Sequence, residues 1–407
     1  MLALLLSLAT SLPPLQEPQS QPAPVPAPKE QEPPAQEPAG QKPATQEPDN
    51  APIKVKARRK GLSTSIVQSL AKAIDWIAAH QEKDGRWRSL EPEGEADAKG
   101  QGNGALDVGV TGLALLALLS EGHNSANGKY KDRVTKGVAW LLKQQDEKSG
   151  QIGGTRSSYS AYNHAIATWA LAEALRLGKD AGHKAQVEKA LDHTERRRNP
   201  YKVWRYSPRD GDNDSSVTGW MMLGLLSAER QGIPMTERTR QMALSWYDEV
   251  TDPATGQVGY TRRGEGSARN INQKIGFPAE NSEALTALSL LVRMRCGQRP
   301  DKKPTMKLAR ERILAIPPQW TPENGNIDLY YWFFASMALS EEGHQESRKW
   351  TSLLMPALTK SQVTEGKNQG SWDPIGAWGN VGGRCYMSAL ATLSLSAATG
   401  KSRLLVR

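Results

Sequence analysis

Between about residue 64 and residue 400, apolar positions recur with the period of a helix, and they do so in two alternating styles. In the first style one stripe is apolar: Ile66, Leu70, Ile74 and Ile77 share a face while Lys72 and Asp75 point elsewhere. Val134, Val138, Leu141 and Leu142 repeat it, as do Trp350, Leu353, Leu354 and Ala357. In the second style the segment is apolar or small nearly all round: 110–119, 165–174, 217–228, 284–292, 329–339 and 386–397. A helix apolar on every side needs cover on every side, and a striped helix supplies cover with one face, so the alternation predicts an inner ring shielded by an outer one. The outer helices are predicted near 64–80, 131–145, 184–195, 236–249, 303–315 and 345–360. Six pairs at a spacing of about fifty residues form a repeat architecture. Twelve helices in six hairpins can close on themselves, which removes the exposed ends that an open array must cap. The expected fold class is therefore all-α, an α/α toroid.

Composition locates where that domain begins. Residues 13–60 are dominated by Pro, Gln, Glu, Ala and Thr with repeated Gln-Glu-Pro units, too little apolar surface to offset the entropy of ordering, and are expected to form an extended linker. Residues 1–12 are a short apolar run, too short to span a bilayer and with Ala9, Thr10 and Ser11 available to a peptidase. They read as a signal-peptide-like leader, although no Lys or Arg precedes the run, so the signal is atypical or the start lies upstream. The expected organisation is leader 1–12, linker 13–60, toroid 61–400 and tail 401–407, in a protein exported to the periplasm or the extracellular space.

The formal charge of +9 raises nucleic acid as a partner. Its densest basic cluster, Lys54, Lys56, Arg58, Arg59 and Lys60, sits where linker meets domain, with no nucleic-acid motif beside it. The expectation is no nucleic-acid partner and a weak membrane-surface contact through 54–60. Cys296 and Cys385 are distant and lack metal-ligand spacing; whether they pair is left open, and no metal or cofactor is expected.

The loops carry a recurring signature. Lys72-Ala73-x-x-Trp76-Ile77 leads to Gln81-x-x-x-Gly85-x-Trp87, and Lys136-Gly137-x-x-Trp140-Leu141 leads to Gln145 and Gly150-x-Ile152. Gln362 precedes Gly370-Ser371-Trp372, and Gly256-x-Val258 is a more degenerate copy. The first copy resembles the Gln-Trp repeat of squalene and oxidosqualene cyclases at each defining position. The segments around Tyr162-Asn163-His164, Asp214-Ser215-Ser216, Leu329-Tyr330-Tyr331 and Gly370-Ser371-Trp372 resemble exported bacterial proteins with prenyltransferase or squalene-oxidase repeats, a group without an established activity. Physically, Gln at an outer-helix end suits the unpaired carbonyls there, and the Trp covers the helix end, which makes the signature architectural.

The resemblance implies one candidate for chemistry. Cyclases of this class protonate an isoprenoid with the middle Asp of Asp-x-Asp-Asp at the start of an inner helix, and Asp212-Asn213-Asp214-Ser215 supplies two of the three carboxylates. Asp214 would be the general acid, with Asp212 and His164 assisting. The alternative for Asp214 is helix capping, and Asp107 and Asp328 stand at equivalent places, as capping requires. His164 is a candidate acid or base one turn into an inner helix, or else a satisfied wall residue. Glu283 and Arg384 are charges on apolar elements; they pair across a central cavity or stand at the ring's mouth. Tyr162, Trp220, Tyr331, Trp332 and Tyr386 are the candidate cavity-lining residues, able to hold an apolar ligand or a cation, with core packing as the competing role for each.

Other toroid chemistries lack their residues. No Asp-x-Cys pair with a later His offers the zinc site of protein prenyltransferases, and Arg295-Cys296-Gly297-Gln298 departs from the complement-type thioester. Complete triterpene cyclases join a second barrel to the toroid, and one ring is legible here. Three readings follow: a binding module taking an apolar, isoprenoid-like ligand or a peptide at the toroid cavity; a terpenoid cyclase or isomerase acting through Asp214; and an α/α-barrel glycoside hydrolase or lyase in which Asp212 and Asp328 flank a sugar.

Overall fold

The computed structural model describes residues 64–91, 101–155, 159–178, 181–269, 273–345 and 347–406. The leader, the linker and the basic cluster at 54–60 lie outside the described residues.

Among the described residues twelve α-helices alternate as the hydropathy pattern requires. The outer set is α1 (Thr64–Ala79), α3 (Lys131–Lys143), α5 (Lys184–Arg197), α7 (Glu237–Val250), α9 (Pro304–Ala315) and α11 (Ser347–Ser361). The inner set is α2 (Asp107–Ser120), α4 (Ser160–Gly178), α6 (Ser215–Glu229), α8 (Ala284–Arg295), α10 (Leu329–Glu342) and α12 (Gly379–Ala398). In α2 every residue after Asp107 is buried, whereas α3 buries only Val134, Gly137, Val138, Trp140 and Leu141. Local chemistry starts the helices: Asp214 and Asp328 cap α6 and α10, Thr236 caps α7, and Pro304 opens α9, where its fixed φ and missing donor cost nothing.

Each inner helix packs on the next, and α12 returns to pack on α2, so the ring closes. The fold is the all-α toroid expected from the sequence. Among the described residues extended pairing is confined to two isolated bridges, Gln145 with Ile152 and Thr251 with Val258.

The glutamines of the loop signature are where the structure corrects the sequence reading. They do not bond the carbonyls of their own helix ends. Gln81 Nε2 donates to Gly85 O (2.9 Å) and to Arg133 O of α3 (2.8 Å). Gln145 donates to Gly150 O and to Gln186 O of α5, at 3.2 and 2.9 Å. Gln362 donates to Gly370 O and to Ser69 O of α1, at 2.8 and 3.0 Å, and so ties the last outer helix to the first. Each glutamine thus couples its own turn to the backbone of the next outer helix. The Trp does cover the preceding helix: the indoles of Trp87, Trp204 and Trp372 donate to Ile77 O, Thr194 O and Leu358 O. Gly85 (φ 104°) is required because a Cβ there would sit 2.5 Å from Lys136 O.

The two ends of the ring differ. At the end where the inner helices finish, residues 402–406 pack on the ring, with Ser402 buried and the Arg403 side chain exposed. Leu404 and Leu405 are buried, Arg403 N donates to Ser120 O (3.0 Å), and Val406 N donates to Glu341 Oε1 (3.1 Å). Arg176 and Arg295 donate to the carbonyls of Arg403 and Leu404. The segment set apart as a tail at 401–407 is in these residues packed on the domain: two adjacent leucines are buried, and the backbone from Arg403 to Val406 is held by Ser120 O, Arg176, Arg295 and Glu341. Cys296 and Cys385 are both free thiols. No described helix is long and apolar enough to cross a membrane.

Candidate functional site

At the opposite end, where the inner helices begin, the ring holds a cavity of about 350 Å³. Its wall is set by one register position. Counting two residues on from Asp107, Ser160, Asp214, Ser282, Asp328 and Arg384 gives Gly109, Tyr162, Ser216, Ala284, Tyr330 and Tyr386, and all six line the cavity. The next turn adds Leu113, Ile166 and Trp220. Below them lies an aromatic floor: Trp220 meets Phe334 edge-on at 5.0 Å, Phe333 and Phe334 lie 4.8 Å apart, and Trp169 is 5.9 Å from Trp220. The cavity is thus a short well.

Side chains four residues on from the same starting positions turn outward and clamp the loops. Thr111, His164, Thr218, Thr286 and Ser388 accept the backbone N–H of Trp87, Ile152, Trp204, Val258 and Trp372, at 2.9, 3.1, 3.5, 3.1 and 3.1 Å. His164 therefore occupies a position filled by a hydroxyl in four other hairpins. Because its Nδ1 accepts from Ile152, the ring proton is assigned to Nε2, which lies 3.0 Å from Thr194 Oγ1, itself donating to Ala190 O. Burial, with His193 and Arg197 beside it, holds its pKa well below the ordinary histidine value. Both nitrogens are occupied, and the ring does not face the cavity.

Asp214 lies one layer behind the wall. Its Oδ1 accepts Val217 N at 2.7 Å, the capping role; its Oδ2 is 3.4 Å from the Tyr260 hydroxyl and 3.8 Å from Arg205 Nε. Burial pushes the carboxyl up to about 7, although the Val217 amide and Arg205 pull it down. Tyr260 shares a hydrogen bond with Tyr206, whose ring lines the cavity. Asp212 is exposed and paired with Arg205 at 3.2 Å. Ser215, where cyclases have their third Asp, donates to Gly259 O and accepts the Trp246 indole. Asp328 caps Tyr331 N (3.0 Å) and also meets Arg269 at 2.6 Å. Asp107 differs from both: it accepts Ser89 N (2.9 Å) and caps no helix of its own.

Of the residues expected around the cavity, Tyr162, Trp220 and Tyr386 line it. The other four are held elsewhere. Tyr331 points out between the rings, its hydroxyl donating toward Ile313 O and Ile316 O and its ring edge-on to Trp350. Trp332 packs against Trp320. Glu283 and Arg384 neither pair across the cavity nor stand exposed at its mouth. Glu283 binds Arg312 (2.9 Å) and Thr286 (2.6 Å), and Arg384 binds Asp373 (2.9 Å) and Ser371 (3.2 Å). The reason is shared: a buried charge pairs with the nearest opposite charge on its own side of the ring.

Tyr330, Ser216, Tyr206 and Arg269 were absent from the expected site and belong to it. Tyr330 was legible, since it shares its offset from Asp328 with that of Ser216 from Asp214. Among the described residues lining the cavity no carboxylate appears, and the one charged residue, Arg269, is neutralised by Asp328 with both side chains 3% exposed.

Residues 59–176 match the family model of the squalene-hopene cyclase C-terminal domain. No curated protein matches the sequence. Among solved structures, an α-1,6-mannanase of Salegentibacter sp. is similar with a TM-score of 0.55 and 10% identity, covering 82% of this chain and 99% of its own. A type II terpene cyclase from Scytonema, in complex with its product merosterolic acid A, gives 0.53 and 12%, covering 83% and 98%. A sugar epimerase from a ruminal bacterium gives 0.54 and 14%, with the same 83% and 98%. At these identities the likeness is one of fold: an α/α toroid that opens with a squalene-cyclase-like stretch.

Proposed function

We propose that the toroid is a binding module that takes a small apolar molecule of isoprenoid kind into the cavity at the mouth of the ring. The observation that carries this reading is the six-residue wall. One register position has been filled with small and aromatic residues so as to leave about 350 Å³ open, within the range of about 300–1,000 Å³ usual for small-molecule sites. Among the described residues of that wall no carboxylate is placed for sugar chemistry. The apolar leader and the Pro-rich linker support export and tethering of the module, with 54–60 as a weak anionic-surface contact.

Ala284→Phe fills the well from the one small residue of α8 that faces it. The wild-type domain should enhance the fluorescence of an anilinonaphthalene sulfonate probe and lose that enhancement as an isoprenoid alcohol displaces it. The Ala284→Phe variant should show neither effect. Equal displacement in both proteins would sink the reading.

One observation favours a second reading, acid catalysis by Asp214. A carboxyl raised to about 7 is neutral over much of the physiological range, and the Tyr260–Tyr206 pair connects it to the cavity wall. Incubation with polyprenyl substrates and analysis of the extract would decide it. A product formed by wild type and missing with Asp214→Asn supports catalysis; no product from either removes it.

A further inference from the structure

The polar side of the cavity is a hydrogen-bonded string that reaches across the ring. The Tyr162 hydroxyl of α4 donates to Ser216 Oγ of α6 at 3.0 Å. Ser216 Oγ and the Tyr330 hydroxyl of α10 lie 2.8 Å apart, and the Trp220 indole donates to that same Tyr330 oxygen at 2.9 Å. Tyr330 reaches α6 past α8, whose facing residue at this level is the small Ala284.

The string can be counted. Three hydroxyls and one indole N–H bring four donor hydrogens, and the groups are joined by three hydrogen bonds. Among the described residues these four groups make no other hydrogen bond, so one hydrogen is left over. With Tyr162 donating to Ser216, and Trp220 donating to Tyr330, that hydrogen belongs to Ser216 or to Tyr330, according to which of the two donates to the other. Both line the cavity. In either arrangement the wall offers one unspent O–H donor at the α6–α10 side. The facing side carries Leu106, Val110, Leu113, Ile166 and Val381, together with the hydroxyl of Tyr386 on α12 and the amide of Asn163, which is spent on Gly109 N and Ala105 O. Arg269 brings no net charge, because Asp328 neutralises it.

We infer that the cavity selects a neutral, largely apolar molecule bearing one hydrogen-bond-accepting oxygen, held by the Ser216–Tyr330 donor with its hydrocarbon body against α2 and α12. An unoxygenated hydrocarbon leaves the donor unmatched, and an anionic head meets no free cation among the described residues of the wall. The inference rests on the apolar-ligand reading of the same site and names its ligand class.

The test uses matched probes on the wild-type full chain: farnesene, farnesol, farnesyl methyl ether and farnesyl phosphate, titrated by calorimetry. Farnesol and the ether, which can only accept, should bind alike and about five- to tenfold more tightly than farnesene, the worth of one hydrogen bond. Farnesyl phosphate should bind more weakly than farnesol. Tyr330→Phe, which keeps the ring and removes the oxygen, leaves the Ser216 O–H and the Trp220 N–H both unspent, so the ether should stay preferred over farnesene, and Tyr386→Phe should leave the gap unchanged. Equal binding of farnesene and the ether to wild type, tighter binding of the phosphate, or loss of the preference in Tyr386→Phe alone would overturn the inference while leaving the apolar-ligand reading standing. Failure of every probe to bind would remove both. If Tyr330→Phe does not fold, the farnesene-to-ether ratio in wild type decides the question unaided.

Discussion

The two ends of one ring are built from the same six helices and come out opposite in character. At the mouth, the first turns carry Gly109, Ser216 and Ala284 between tyrosines, and the centre stays hollow. At the far end, the last turns carry charges, and residues 402–406 lie across it, with Leu404 and Leu405 buried and the backbone bonded to α2, α4, α8 and α10. There Glu173 is fully buried against Arg176 (2.6 Å) and Ser227 (2.8 Å), while Arg295 and Glu341, 3% and 5% exposed, hold the backbone of that segment. A ring of parallel helices leaves a hole at each end, and the difference lies in what covers it. Far-end charges satisfy backbone groups that would otherwise be stranded, so that end is mechanically committed. The mouth's polar groups are tied mostly to one another and leave room for a guest.

That contrast can be broken from the far end with the largest effect. Glu341→Ala leaves the buried Arg295 guanidinium without its counter-charge, only Leu404 O remaining as acceptor, and Val406 N without its partner, and should lower stability by about 3–5 kcal/mol in denaturant unfolding. A loss under about 1 kcal/mol would show that the charges are wetter than the packing implies. Leu404→Ala, which removes a buried side chain of that segment, should cost about 2–4 kcal/mol by the same measurement. Neither variant should alter ligand binding at the mouth beyond its effect on the folded fraction.

The mouth responds to pH instead. In the folded state Asp214 keeps its proton up to about pH 7, against an ordinary value of 3.8. Between those values the folded state binds more protons than the unfolded one, so this carboxyl makes stability fall as pH rises through the window. Asn at 214 keeps a capping oxygen and does not titrate. The stability of Asp214→Asn relative to wild type should therefore improve by about 1–3 kcal/mol between pH 4 and pH 8, read from paired unfolding curves. No change in that difference would mean that Asp214 is not held neutral. Smallest of all, Ala284→Phe should shift stability by less than about 1 kcal/mol, because the added ring enters open space instead of a packed core. It should nevertheless abolish probe binding.

How much of this was legible in the sequence depends on the kind of feature. Local pattern carried the helices: stripe against all-round apolarity separated α3 from α2 without reference to anything distant. It also offered Tyr162, Trp220 and Tyr386 as cavity residues, and capping as the alternative to acid catalysis for Asp214. It failed where a side chain had two faces to choose between. Tyr330, Tyr331, Trp332, Phe333 and Phe334 are consecutive aromatics, and only the positions of their neighbours decide that Tyr330 enters the well while Tyr331 and Trp332 turn outward. His164 looked like chemistry because a histidine invites it, until Thr111, Thr218, Thr286 and Ser388 appeared at the same height doing the same work. Glu283 and Arg384 were expected to seek each other and instead found Arg312 and Asp373, partners on their own side of the ring.

By itself the sequence determined the number of helices and their alternation into two rings, because these follow from periodicity along each segment. Only the tertiary structure decided which end is open. That depends on six residues drawn from six distant helices standing at one height, and on residues 402–406 returning to lie across the other end. No local rule encodes either, since both arise only when the ring has closed.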